Sequence, residues 1–184
     1  MRQALCRNIA LLAAMLAIGS PADATTARQL TNAELAVTAD IIAIGRCTGV
    51  RSEWEGRSLV TVATVEVQET LKGSARKRIS VVLPGGVDAR RRIPVAMTWP
   101  GAPTLAVGEE ALLFLVSDRS TSRGPIISGF SQGKFSIGRD AAGRRFVTRD
   151  LTGVTLQNGA GVTRGTRSRQ PLDQFKAEIA GHLQ

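Results

Sequence analysis

Residues 39–73, ADIIAIGRCTGVRSEWEGRSLVTVATVEVQETLKG, constrain this chain more than any other stretch. They read as two long β-strands around a tight turn. The first, residues 41–51, is apolar on both faces where it starts, with Ile41, Ile42, Ala43 and Ile44 in succession. Gly45 and Gly49 interrupt it with the parity of Cys47, and glycines inside a strand mark a bulge, a bend or a close approach of another backbone. A long strand bent around a closing barrel needs such points. Residues 52–57 are the expected turn, with Gly56 at its positive-φ position. The second strand, residues 58–70, alternates. Leu59, Thr61, Ala63, Val65 and Val67 share one face, while the other changes from Val60 and Val62 to Glu66 and Gln68. One face is therefore core throughout, and the other is covered only near the turn.

The remaining pattern is also mainly β. A polar leader at 25–29 precedes Thr31 and Glu34, whose spacing is that of a capping box opening a short helix over 32–39, with Leu30 and Leu35 as its hydrophobic staple. Ile79, Val81 and Leu83 form a third strand, stopped by Pro84-Gly85-Gly86. Ile93, Val95, Met97 and Trp99 alternate around Pro94, which marks an edge strand because proline donates no ladder hydrogen bond. Residues 111–116 (ALLFLV) read as a central strand buried on both faces. Residues 118–124 read as an exposed loop, and short strands follow at 126–130, 134–137 and 145–148. Residues 150–169 are rich in Gly, Thr and Arg and poor in large apolar residues, as expected of an exposed loop or a partly disordered segment. Leu172, Phe175, Ile179 and Leu183 have helical spacing, with Pro171 near the start. The expected fold is mainly β: a closed or partly open barrel of six to eight strands, a short N-terminal helix and a C-terminal amphipathic helix packed on the barrel. The expected division is a leader at 1–24, the barrel at 25–149, the loop at 150–169 and the helix at 170–184.

The leader is a secretory signal peptide by its parts. Arg2 and Arg7 supply the positive region, residues 9–18 (IALLAAMLAI) the apolar one, and Ala22-Asp23-Ala24 the small-x-small pattern, with cleavage after Ala24. Ten apolar residues fall well short of the ~20 that span a bilayer, so no transmembrane segment is expected after processing. Cys6 precedes the apolar run, which argues against a lipoprotein. The protein is therefore expected to be exported, either periplasmic or secreted. Cleavage leaves Cys47 alone and excludes an intramolecular disulfide, so the core must hold the domain by itself.

Few residues offer chemistry. His182 stands two positions from the end and is the single histidine, which excludes a histidine-based triad or a His-rich zinc site. Cys47, in a strand among glycines, reads as buried and inert. Ser131-Gln132-Gly133-Lys134 matches S-x-x-K, but Gly133 and the β pattern after it argue for a turn rather than an acyl-enzyme site. Residues 129–134 fall one residue short of a phosphate loop, and no helix follows. The neighbouring carboxylates Glu53/Glu55, Glu66/Glu69 and Glu109/Glu110 lack calcium-loop spacing, and a glycosidase pair among them stays open. No cofactor or metal is expected. The formal net charge of +9 is dominated by arginine and favours anionic partners. Its one dense cluster, Arg90, Arg91 and Arg92, has Trp99 nearby. Such a group either contacts a protein or polyanion by charge and stacking or protects a strand edge as a solvated cluster.

Residues 39–73 and 79–82, Gly101-Ala102-Pro103, Gly108-Glu109-Glu110, residues 112–115 and Gln132-Gly133-Lys134-Phe135 together resemble a group of uncharacterised exported bacterial proteins. The resemblance covers roughly residues 30–146. It implies an OB-like β-barrel similar to netrin and metalloproteinase-inhibitor domains, and an association with secreted matrixin-like metalloproteases. Those inhibitors chelate the protease zinc through an N-terminal cysteine. Here Thr25 is the expected mature terminus and Cys47 is internal, so the barrel carries over and no inhibitory residue does. The expected role is non-catalytic binding of a secreted or periplasmic protein, such as a protease. The alternatives are a module for anionic polymer (polysaccharide, cell surface or nucleic acid) and a hydrolase built on carboxylates that the sequence does not pair.

Overall fold

The structure, a computed structural model, describes residues 25–74 and 76–184; the leader at 1–24 and its cleavage point after Ala24 lie outside the described residues. The chain enters as strand β1 (Thr25–Arg28), where the sequence suggested a polar leader. Helix α1 (Asn32–Thr38) follows. The Thr31 hydroxyl accepts the Glu34 amide at 3.1 Å and the Glu34 carboxylate accepts the Thr31 amide at 2.8 Å, so the capping box is formed. Leu35 is fully buried, and Leu30 packs into the same cluster.

The hairpin is longer than its local pattern. β2 (Ile41–Glu55) and β3 (Ser58–Lys72) are 15 residues each. Residues 52–55, expected in the turn, stay in the ladder because each has a partner, from Ser52 opposite Thr61 to Glu55 opposite Ser58. The turn is left to Gly56 and Arg57, and Gly56 holds φ 59, a left-handed conformation that glycine adopts without steric cost. Register shifts between Ile42/Ala43, Ile44/Gly45 and Cys47/Gly49 bend the pair. A Cβ on Gly45 would meet the Glu66 carbonyl oxygen at 2.6 Å, so this glycine is set by close backbone approach.

The later strands are β4 (Arg78–Pro84), β5 (Gly86–Asp88), β6 (Val95–Met97), β7 (Glu110–Val116), β8 (Ile126–Ile127), β9 (Lys134–Arg139), β10 (Arg145–Asp150), β11 (Val154–Asn158), β12 (Gly161–Arg164) and β13 (Arg167–Pro171), before helix α2 (Leu172–Gly181). The main sheet runs β13-β10-β9-β7-β2-β3-β4-β8. β8 pairs in parallel with β4 and antiparallel with β7, which closes β7, β2, β3, β4 and β8 into a ring of five strands. The ring is smaller than the six to eight strands expected. β9, β10 and β13 continue the sheet outside it. The expected strand at 126–130 is only two residues long, because residues 128–133 fold into consecutive turns.

Two cores follow from this closure. All five ring strands contribute to one cluster that includes Ala43, Cys47, Ala63, Val81, Leu113 and Ile127, and it fills the ring. The opposite face of β2 and β7 presents Ile42, Ile44, Leu112 and Phe114 to Phe135, Val147 and the helices. β7 is thus buried on both faces, as its unbroken apolar run requires. Leu172, Phe175 and Ile179 seat α2 on this outer core.

Residues 150–169 are not one loop. β11 pairs in parallel with β1 and antiparallel with β12, while β13 joins β10. Leu151, Val154 and Leu156 close a small core against Ala27. Much of the segment is exposed, but its backbone is paired, and the main partner comes from the start of the chain. β5 and β6 form a separate two-stranded ribbon, with Pro94 just before β6.

Candidate functional site: a tryptophan loop bordered by three cavities

The segment leaving β6 borders three cavities. The Ala102 amide donates to the Trp99 carbonyl at 3.0 Å and closes a turn. Leu105, 6% exposed, inserts into the ring core and anchors the far end. Trp99 itself is 54% exposed.

Two mainly apolar cavities meet at this residue. One, of ≈ 400 Å³, has Trp99, Val60, Val82, Pro103, Ile126 and Phe130 among its lining. The other, of ≈ 340 Å³, has Trp99, Val50, Leu83, Val87, Met97 and Leu105. Pro84, Trp99 and Pro103 belong to both. Phe130 holds φ 64, the left-handed region that bulky residues rarely occupy and that concentrates at ligand-facing positions. Glu55 and Asp118 also line the first cavity. Asp118 accepts the Ser120 amide at 2.7 Å, and that hydrogen bond holds its carboxyl below the ordinary value, so it is not poised as an acid.

A third cavity, of ≈ 350 Å³, lies on the other side of the same loop and is polar. Thr104, Ser131, Lys134, Ser136, Thr148 and Asp150 line it. Beside it, Glu109 accepts Lys134 Nζ and Ser136 Oγ, each at 2.7 Å, and the Ala106 amide at 3.0 Å. Burial pushes the Glu109 carboxyl up, but Lys134, the Ala106 amide and Ser136 outweigh it and hold it ionised.

The basic cluster is arranged differently from its sequence reading. Asp88, at the ribbon tip, accepts Trp54 Nε1 at 2.8 Å, the Arg90 amide at 3.1 Å and Arg91 Nε at 3.2 Å. The Trp54 hydrogen bond leads in lowering its pKa. The Arg91 guanidinium lies 4.6 Å from the Trp54 ring centroid. Trp54 is therefore the aromatic beside the arginines, while Trp99 stands past the opposite end of the ribbon, next to Gly85. Arg92 is exposed at the tip.

The remaining sequence candidates are also placed. Ser131-Gln132-Gly133 is a turn, and the ammonium of Lys134 is committed to Glu109. Glu53 and Glu55 face Arg123, Glu69 pairs with Lys176 at 2.6 Å, and Glu110 pairs with Arg145 and, at 3.3 Å, with Arg46. Neither cavity beside Trp99 nor the polar one is lined by both members of any sequence-adjacent pair. His182 is the exposed C-cap of α2. Among the described residues no three His, Cys, Asp or Glu side chains gather into a metal site, and no helix is long and apolar enough to cross a membrane.

Cys47 is 1% exposed, and burial raises its thiol pKa above the ordinary value. In a folded chain that begins at Thr25, a thiol reagent such as Ellman's at pH 8 is expected to titrate no thiol. Denaturation should release one per chain; rapid labelling of the native protein would contradict the buried placement.

No family model matches the chain, and no curated protein or solved structure matches it.

Proposed function

We propose that this is an exported, non-catalytic binding protein that docks an apolar segment of a secreted or periplasmic partner protein against Trp99. The carrying observation is an indole 54% exposed where two largely apolar cavities meet. Tryptophan in such a setting buries large area at little entropic cost and is over-represented among residues that dominate interface energy. Export rests on the Arg2/Arg7, apolar and Ala-x-Ala pattern of residues 1–24. The five-strand ring, entered by a long bent hairpin, supports reading the domain as an OB-like barrel similar to netrin domains. That resemblance makes a secreted metalloprotease the first partner to try.

The polymer alternative would act through Arg90, Arg91 and Arg92. Asp88 sits against two of these arginines, which weakens the patch as a polyanion site. One experiment separates the readings: capture from the exported fraction in high salt, where attraction between exposed charges is screened. Trp99→Ala is expected to lose the captured protein, with folding stability changed by about 1 kcal/mol or less, and the Arg90/Arg91/Arg92→Ala variant is expected to keep it. Salt-sensitive retention on heparin or cell-wall material that fails in the arginine variant, with Trp99→Ala unaffected, would sink the protein-docking reading.

A further inference from the structure

The polar cavity beyond the Trp99 loop has a chemistry of its own. Its floor is the face of β9 and β10 that points away from α2. Ser136 and Thr148 are direct cross-strand partners there, and Lys134 and Asp150 continue the same face two residues further along each strand. Gly101, Ala102, Pro103 and Thr104 form one wall, and Ser131 and Thr152 complete the lining.

Both signs of charge are present and both are already compensated. Lys134 is held by Glu109 at 2.7 Å. Asp150 accepts Arg167 Nε at 2.9 Å and Arg167 Nη2 on one oxygen, and the Thr152 hydroxyl at 2.6 Å and the Thr152 amide at 3.0 Å on the other. An anionic ligand would meet the Asp150 carboxylate, and a cationic one would meet the Lys134 ammonium. Hydroxyl capacity is what remains open. Thr104 and Thr148 side chains make no hydrogen bond within the described protein. The Ser131 hydroxyl is more telling: the residue is 7% exposed and its Oγ is buried without any partner. Buried polar groups are paired in nearly all native structures, and an orphan calls for an explanation such as an absent ligand or water. Its hydrogen turns freely about the Cβ–Oγ bond, so the group can serve as donor or acceptor.

We propose that this cavity binds a neutral polyol, a single pyranose sugar or a cyclitol, through Ser131, Thr148 and Thr104. Its ≈ 350 Å³ lies at the small end of the range for small-molecule sites. Hydroxyls that both donate and accept, beside one carboxylate and one ammonium, suit an uncharged ligand whose polar groups are mainly hydroxyls. This site is independent of the protein-docking role of Trp99, so either can fail alone.

The test is a titration of the folded, processed chain with D-glucose, D-galactose, D-mannose and myo-inositol, followed by amide chemical shifts. At least one of them is expected to give saturable shifts confined to the amides of Ser131, Lys134, Ser136, Thr148 and Thr152, with Kd near the millimolar range. Ser131→Ala and Thr148→Val should each weaken binding roughly tenfold, the loss of one hydrogen bond, about 1.4 kcal/mol. Ser131→Ala removes a hydroxyl with no protein partner and Thr148→Val is near-isosteric, so both variants should fold. Trp99→Ala should leave sugar binding unchanged. Absence of saturable shifts with all four probes overturns the proposal. So does saturation by inorganic phosphate or glucuronate in preference to the neutral sugars, or binding unaffected by both variants.

Discussion

Phe114→Ala is expected to lower the unfolding free energy by about 3–5 kcal/mol, the range for deleting a fully buried phenyl ring. Phe114 is 0% exposed in β7, the strand shared by the ring and its outer extension. Its ring centroid lies 5.7 Å from Phe135 on β9 and 6.3 Å from Phe175 on α2, while Phe135 and Phe175 are 4.5 Å apart. These three rings join sheet and helix in one contact. Their tilted and edge arrangements add to the gain from area alone. Truncation would leave a cavity that the neighbours can fill only partly, because the β7 backbone is held on both sides by β2 and β9. Without disulfides among the described residues, nothing covalent limits the loss. The midpoint of thermal unfolding should fall by about 10 °C, at a few degrees per kcal/mol for a chain of this size. Urea unfolding followed by circular dichroism measures it directly. Phe114→Leu should cost clearly less. A Phe114→Ala loss under about 1 kcal/mol would mean that α2 does not pack on this face.

Gln132→Leu is the second large effect, and it acts through hydrogen bonds instead of volume. Gln132 is 1% exposed. Its Oε1 accepts the Leu30 amide at 2.8 Å, and its Nε2 donates to the Arg28 carbonyl at 2.8 Å and to the Gly129 carbonyl at 3.1 Å. One amide thus ties the exit of β1 to the turn that follows β8. Leucine keeps the approximate size and removes every partner. Each unsatisfied buried backbone group costs about 1–3 kcal/mol, but the β1 side can relieve part of this by moving into water. The expected net loss is about 2–3 kcal/mol, with a distinctive signature. Residues 25–31 should become accessible to hydrogen exchange and to protease at denaturant concentrations that leave β2, β3 and β7 protected. Uniform destabilisation with protection of residues 25–31 unchanged would show that Gln132 is not their anchor.

By its sequence Gln132 belongs to a turn. Nothing local distinguishes a buried clamp from a solvated turn glutamine, because the groups it satisfies belong to a remote segment. The polar cavity was hidden for the same reason. Ser131 and Lys134 were visible as an S-x-x-K match, but Thr148 and Asp150 join them only through the β9–β10 register. In sequence Trp99 stands near the arginines. The structure instead sets it between apolar walls and gives Trp54 to the arginines. Alternation alone does not reveal which end of a ribbon a side chain occupies.

What the residues determined unaided are the features set within a few positions. These include the Thr31–Glu34 capping box, the Gly56 turn, the buried run of β7, the one-sided fading of β3 and the buried stripe of α2. Each follows from side-chain period or from a backbone conformation that few residue types tolerate. Only tertiary structure decided the ring of five, the order in residues 150–169 and the placement of the cavities. β8 closes the ring with two residues, too short to carry a pattern. β11 owes its strand to β1 at the other end of the chain. Pairing across such distances is settled by which exposed backbone edge remains unsatisfied once the core has formed, and no local stretch of sequence carries that information.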